Sequence, residues 1–260
     1  MIDLDEQTAQ GASLRIAMWS GPRNISTALM RAWENRPDTA VRDEPLYAHY
    51  LMRTGAEHPG RAEVLAAQDT DWRNVVRELL GPVPGGCPIY YHKHMAHHLF
   101  GDMHGEWLTS FRHAFLIRDP EEMLTSLLKL IPDPGVFETG LAQQWELFQR
   151  VSDARAAPAP VLDSRDVLEQ PRALVSRLCG ALGVPFAEEM LSWPAGPRGS
   201  DGVWAPIWYS GVERSTGFQP YRAKEDRVPD RLRSVLDTCR TYYDRLYVHR
   251  LMPVTPLSER

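Results

Sequence analysis

The sequence predicts an α/β fold in which a mostly parallel central sheet is flanked by helices on both faces, three layers in all. Two observations predict it. Short apolar runs at residues 14–19, 89–91, 114–117 and 160–162 alternate with longer segments of helical periodicity, and strands separated by helices need right-handed crossovers, which make the sheet parallel. The helices also carry explicit start and stop signals. Asp119-Pro120-Glu121-Glu122 supplies an N-cap, a proline at the first helical position and a capping-box glutamate, and Gly183 with Pro185 closes the pattern that begins at Pro171.

Taken in order, residues 1–13 read as a loose leader. The run 14–19 is a buried strand, residues 20–25 carry turn chemistry, and Ser26 or Thr27 caps a helix whose Ala28, Leu29, Ala32 and Trp33 share a face. Residues 39–45 form a second strand stopped by Pro45, which cannot donate to a ladder, so Glu44 stands at its carboxyl end. Helices follow at 46–53 and 71–80, the latter with Val75, Val76, Leu79 and Leu80 on one side. After a Gly/Pro loop at 82–88, residues 89–91 lead as a third strand into His92-Lys93-His94. Beyond the strand at 114–117, Met123, Leu124, Leu127, Leu128 and Leu130 bury a helix against the sheet. A longer helix over 139–156, a strand at 160–162, a helix over 171–182 and a last helix over 229–250 complete the pattern. Residues 193–221 hold three tryptophans and five glycines and read as a long loop.

At 260 residues the chain can bury a substantial core and is read as a single domain. A net charge of −5 argues against a nucleic-acid partner. Cys87, Cys179 and Cys239 show no Cys-x-x-Cys spacing, which favours a reduced, cytoplasmic setting and gives no metal framework. The acidic start lacks the segments of a signal peptide, and no run approaches the ~20 apolar residues that span a bilayer, so no membrane partner is expected.

In open parallel sheets ligands bind outside the carboxyl ends of the strands. Ser20, Glu44, the His92–His94 cluster and Arg118 are all expected there. Between Ser20 and Thr27 the chain passes from strand to helix N-terminus, whose free N–H groups and partial positive charge, with Arg23, make an anion site. This P-loop-type arrangement has no Gly-Lys-Ser/Thr ending. The lysine that holds β- and γ-phosphates is missing, which disfavours a nucleoside triphosphate.

Pro22-Arg23-Asn24-Ile25-Ser26-Thr27 resembles the 5′-phosphosulfate loop of sulfotransferases that use 3′-phosphoadenosine 5′-phosphosulfate (PAPS), which reads Pro-Lys/Arg-Ser-Gly-Ser/Thr-Thr; Ile25 replaces the family's glycine. Ile117-Arg118-Asp119-Pro120 followed by Ser126 resembles the second signature, in which an arginine and a serine bind the 3′-phosphate. Residues 161–168 and 173–188 look like the strand and helix that follow in bacterial short sulfotransferase-like proteins. Arg214-Ser-Thr-Gly-Phe218 stands loosely where the family has a late Arg-Lys-Gly segment.

The resemblance implies in-line transfer of a sulfuryl group to a hydroxyl or amine of a small-molecule acceptor. The phosphosulfate carries less charge than a triphosphate tail, so no metal is required. Ser20, Pro22, Arg23, Asn24, Ile25, Ser26, Thr27, Arg118, Ser126 and Arg214 would hold the cofactor, and Arg23 and Lys93 would neutralise charge on the bridging oxygen. Glu44 is the first candidate for the base and His94 the second, because His92-Lys93-His94 partly matches the Lys-Thr-His of cytosolic sulfotransferases. Tyr47 and His49, next to Glu44, are candidates to line the acceptor pocket. The spacing of His92, His94, His97 and His98 fits no standard zinc pattern. Trp193, Trp204 and Trp208 are read as packing or as an oligomer surface such as a homodimer's. Two rivals stand beside this reading: a module that binds a 3′-phosphonucleotide without transfer, and a P-loop kinase with a degenerate loop.

Overall fold

A computed structural model describes residues 13–223 and 225–253; apart from residue 13, the expected leader lies outside the described residues. Five strands, β1 (Leu14–Ser20), β2 (Thr39–Asp43), β3 (Ile89–Met95), β4 (Arg112–Ile117) and β5 (Val161–Asp163), pair in the order β2-β3-β1-β4-β5, every pair parallel. The helices are α1 (Ser26–Glu34), α2 (Tyr47–Thr54), α3 (Arg61–Ala67), α4 (Trp72–Leu80), α5 (Pro120–Leu127), α6 (Val136–Thr139), α7 (Leu141–Arg155), α8 (Ser164–Glu169), α9 (Pro171–Ala181), α10 (Ala205–Trp208), α11 (Ser210–Glu213) and α12 (Arg233–Tyr247).

β1 is apolar on both sides because both of its faces are covered. Ile16 and Met18 point into a core shared with α1 and α9, and Ala17 and Trp19 into one shared with α4, α7 and α12. The α/β sheet predicted from the alternation of runs is the sheet observed. The helix start at Asp119 is also as expected: its carboxylate accepts from the N–H groups of Glu121 (2.9 Å) and Glu122 (3.1 Å).

Several boundaries differ, each for a local reason. α1 begins at Ser26 with Ile25 at the N-cap and no side-chain cap, so neither Ser26 nor Thr27 caps it. The helix expected over 139–156 is broken at Gly140, whose φ of 71° is left-handed, into α6 and α7. α5 stops at Leu127, which leaves Leu128 and Leu130 only half-buried. The stretch 193–221 contains α10, α11 and a bridge from Ser192 to Gly217. α3 went unforeseen because it buries one residue, Val64, and so shows no period. No helix among the described residues is long and apolar enough to cross a membrane.

β3 is the largest departure. It runs on to Met95 and takes in the histidines expected beyond its end. Alternation sends Tyr91 and Lys93 to the α1 face and His92 and His94 to the opposite one, where His94 stacks on Trp19 with centroids 4.3 Å apart. Trp19 Nε1 donates to His113 Nδ1 (2.9 Å), and His113 Nε2 lies 2.8 Å from the Leu108 carbonyl, so the His113 proton sits on Nε2. These imidazoles serve as flat packing surfaces.

Burial pushes His94 and His97 down to about 3 and His113 down to about 4. In the unfolded chain they titrate near 6.5, so below that pH the unfolded state binds more protons and acid removes stability. Lowering the pH from 7 to 5 is expected to cost roughly 2 kcal/mol per buried histidine. The urea midpoint should therefore fall well before the carboxylates titrate; a midpoint constant between pH 7 and 5 contradicts the neutral imidazole core.

Candidate functional site

From β1 the chain crosses to β2 on one side of the sheet, whereas β4 lies on the other, so the crevice above the end of β1 is the sheet's switch point. The loop over 20–25 occupies it and is held from three directions. A Cβ on Gly21 would stand 2.3 Å from the Thr139 carbonyl, so only glycine lets the α6–α7 junction back the loop. The buried Gln144 amide donates to the carbonyls of Trp19 (3.3 Å) and Leu116 (3.1 Å) while its oxygen accepts from Gly21 N (3.1 Å). Asn24 Nδ2 donates to Leu116 O (3.0 Å), and its Oδ1 accepts from Ile25 N (3.0 Å) and contacts the Ser164 hydroxyl. Ile25, in place of the expected glycine, sits at φ −91° and costs no left-handed strain; the left-handed residue is Arg23, at φ 55°.

Two guanidiniums meet over the first turn of α1, whose leading N–H groups have no intrahelical acceptors. Arg118 Nη1 donates to the Arg23 carbonyl (2.6 Å) and Arg23 Nε to Ser126 Oγ (3.2 Å). Arg118 also pairs with Glu122 (2.9 Å), which accepts from the Tyr221 hydroxyl (2.6 Å). Arg23 makes no ion pair among the described residues; burial lowers its pKa and the charge of Arg118 adds to the effect. Arg23, Asn24, Ile25, Thr27, Arg118 and Ser126 line one cleft of about 600 Å³, walled opposite by α10 and α11. On the far side of Arg118, a crevice of about 410 Å³ is lined by Arg165, Tyr221, Arg222 and Tyr243.

Arg23 also lines a smaller chamber of about 100 Å³, with Pro22, Ser26, Thr27, Glu44, Tyr47 and Lys93. Beside it is a buried polar cluster. The Lys93 ammonium donates to Asp43 Oδ1 (2.8 Å), Glu44 Oε1 (2.5 Å) and the Tyr209 hydroxyl (2.6 Å), which uses all three of its N–H groups. Tyr209 OH in turn donates to Asp43 Oδ2 (2.7 Å) and accepts from Trp204 Nε1 (2.9 Å). Glu44 is left-handed at φ 35°, with its N–H on the Lys93 carbonyl (2.9 Å). Burial pushes its carboxyl up; Lys93 pulls against this and the Asp43 charge adds to it.

Several expected site residues do not reach either cavity. The Ser20 hydroxyl turns into the sheet towards the His94 carbonyl (3.4 Å). His94 is in the core against Trp19, so it is not placed as a base. His49 Nδ1 donates to the Thr70 carbonyl (2.8 Å) on the other side of α2 from the chamber that Tyr47 lines. Arg214 is exposed at the end of α11, outside the cleft lining, and Arg222 is the late basic residue on the side of Arg118. Lys93 is committed to its carboxylates and has no N–H left for a bridging oxygen. Asp43 and Tyr209 escaped the sequence reading. The adjacent acids Asp43-Glu44 at a strand end were a signal for the first; nothing in 193–221 marked the second.

Lys93→Met strands two buried carboxylates. It is expected to cost about 3–5 kcal/mol at pH 7 by chemical denaturation, with the gap to the parent narrowing towards pH 5 as Glu44, already pushed up by burial, takes up a proton. A gap that stays constant with pH would show that the ammonium does not hold them.

The sequence matches the model of the family described as Sulfotransferase domain over residues 14–247. Two Arabidopsis thaliana proteins are related to it. Branched-chain-amino-acid aminotransferase-like protein 2 is 33% identical over 234 residues, 90% of this chain and 41% of that protein. Branched-chain-amino-acid aminotransferase-like protein 1 is 37% identical over 203 residues, 78% of this chain and 36% of that protein. The chain thus spans about two fifths of the length of these curated relatives. The sulfotransferase domain from the Synechococcus PCC 7002 olefin synthase shares the fold, with a TM-score of 0.56 and 18% identity, over 90% of this chain and 95% of that one. The family match takes in the whole sheet, the loop after β1 and the arginine after β4, and on that ground the chain belongs to the sulfotransferase domain family.

Proposed function

We propose that the chain moves a sulfuryl group from PAPS to a small-molecule acceptor. The observation that carries this is the convergence of Arg23 and Arg118 over the N-terminus of α1, in a cleft that meets the Glu44 chamber at Arg23. The cleft volume of about 600 Å³ is in the range of small-molecule sites, about 300–1,000 Å³. Two like charges beside unpaired helix N–H groups attract an anion with more than one charged group.

PAPS, when bound, supplies the activated sulfuryl group. The chain's own residues do the positioning. Arg23 and the first turn of α1 would bind the phosphosulfate, and Arg118 and Ser126, with Arg222, the ribose phosphate. Lys93 engages Glu44 Oε1, which leaves Oε2 to take the acceptor's proton. A carboxylate made more basic by burial is suited to that task. Lys93 orients Glu44 and keeps it from swinging away.

The names of the plant relatives raise an aminotransferase reading. Such enzymes use a lysine amine as a nucleophile towards their cofactor. Burial alone would lower Lys93, but Asp43 and Glu44 hold its ammonium above the usual lysine range. Lys129 is exposed beside Asp226. Of the lysines among the described residues, neither suits that chemistry.

Titration with adenosine 3′,5′-bisphosphate tests the proposal. Arg118→Ala is expected to weaken binding roughly 30-fold, about 2 kcal/mol; unchanged affinity removes Arg118 from the site. Glu44→Gln should bind the nucleotide as the parent does and lower kcat by about 100-fold or more. Full turnover by that variant rules Glu44 out as the base, and a parent that binds the nucleotide but transfers to no acceptor is a binding module instead.

A further inference from the structure

Past Glu44 the small chamber is walled by rings. Tyr47 lies flat on His98 (4.9 Å, 6°) and edge-on to Trp204 (5.2 Å, 83°), and its hydroxyl meets His58 Nδ1 (2.9 Å). His58 is tilted against Trp208 (6.2 Å), which also lines the space. Into these rings comes one further carboxylate, Glu138, from α6. Its Oε2 accepts from Gly135 N (2.9 Å), which fixes the side chain.

Nothing among the described residues neutralises Glu138 with an ion pair. Burial pushes the imidazoles that share the chamber, His58, His97 and His98, down, while the Glu138 charge pulls His58 the other way. Of the two cations of the lining, Lys93 is committed to its own cluster, and Arg23, held at Nε by Ser126, also lines the larger cleft and forms no ion pair with Glu138. A half-buried carboxylate facing aromatic rings and neutral imidazoles favours an ammonium group, which the ring faces also attract. Three further atoms lack a partner there: His97 Nδ1 and His98 Nδ1, on side chains 4% and 2% exposed, and Trp208 Nε1. Buried polar atoms of this kind are normally satisfied, and a bound polar molecule would satisfy them.

We infer that the acceptor is a small alcohol carrying an ammonium group, its hydroxyl at Glu44 and its cation at Glu138 within the aromatic wall. The inference rests on the transfer reaction proposed above. At roughly 10–15 Å³ for each water-sized unit, the chamber of about 100 Å³ admits a molecule of about seven to ten non-hydrogen atoms. A protonated amine has no lone pair, so the hydroxyl is the nucleophile. Glu44 takes the hydroxyl proton, the new O–S bond forms, and the S–O bond to the nucleotide breaks with its electron pair leaving on adenosine 3′,5′-bisphosphate. The product is a zwitterionic sulfate ester.

Calorimetry on the intact chain, with and without adenosine 3′,5′-bisphosphate, sets three hydroxyl compounds with a cationic nitrogen against neutral counterparts: choline against 3,3-dimethylbutan-1-ol, 2-aminoethanol against 1-propanol, and tyramine against 4-propylphenol. The amine of at least one pair is expected to bind tenfold or more tighter than its counterpart. Glu138→Gln keeps an oxygen for Gly135 N and should abolish that preference while leaving nucleotide binding intact; Trp208→Ala should weaken the amine more than the neutral alcohol. Neutral probes binding as well as the amines, a preference untouched by Glu138→Gln, or no binding of any probe overturns the inference. Because the readout is binding heat, amine binding without sulfuryl transfer refutes the proposed reaction alone, and transfer to neutral alcohols in preference to amines refutes the ammonium site alone.

Discussion

The ammonium of Lys93 is buried in a sheet strand, where an isolated charge would cost many kcal/mol. It is tolerated because each of its three N–H groups has an acceptor and each acceptor comes from a different place: the last residue of β2, the residue after it, and the segment that carries α10 and α11. That segment has no periodic apolar face of its own. The Tyr209 hydroxyl, which satisfies Lys93, Asp43 and Trp204 at once, pins it over the sheet's carboxyl edge. Remove the ammonium and the wall of both cavities loses its anchor.

The Arg23–Arg118 pair illustrates the opposite economy. Here like charges are brought together by backbone and hydroxyl contacts, with Glu122 pairing only the second of them. The loop can hold this arrangement because Gly21, Gln144 and Asn24 tie it to the helix behind and the strands beside it. Rigidity in the loop is therefore spent on electrostatics that the protein alone does not need.

What was legible in the sequence follows from how local each signal is. β1, the helix start at Asp119 and the two arginines are written in contiguous residues, so strand, cap and loop could be read directly. His94 could not be, because its fate was decided by Trp19 one strand away, and a histidine beside a lysine looks the same whether it packs or reacts. Ser20 and His49 failed for the related reason that alternation and helix phase, not proximity in sequence to the site, choose where a side chain points. Tyr209 and Glu138 became visible only when segments distant in sequence closed on the same chamber. Arg214 and Arg222 differ by eight positions in an aperiodic stretch, and no pattern could choose between them.

Glu44 combines two burdens: a left-handed backbone at φ 35° that glycine would adopt freely, and a second carboxylate beside a single ammonium, which leaves the cluster one negative charge in excess when both acids are ionised. Glycine at this position would relieve both at once, at the loss of one of the three acceptors of Lys93, which keeps Asp43 and Tyr209. With Glu44 as the proposed base, selection for heat resistance and selection for turnover pull in opposite directions at one residue, and a laboratory lineage evolved for robustness alone would drift towards an inert scaffold.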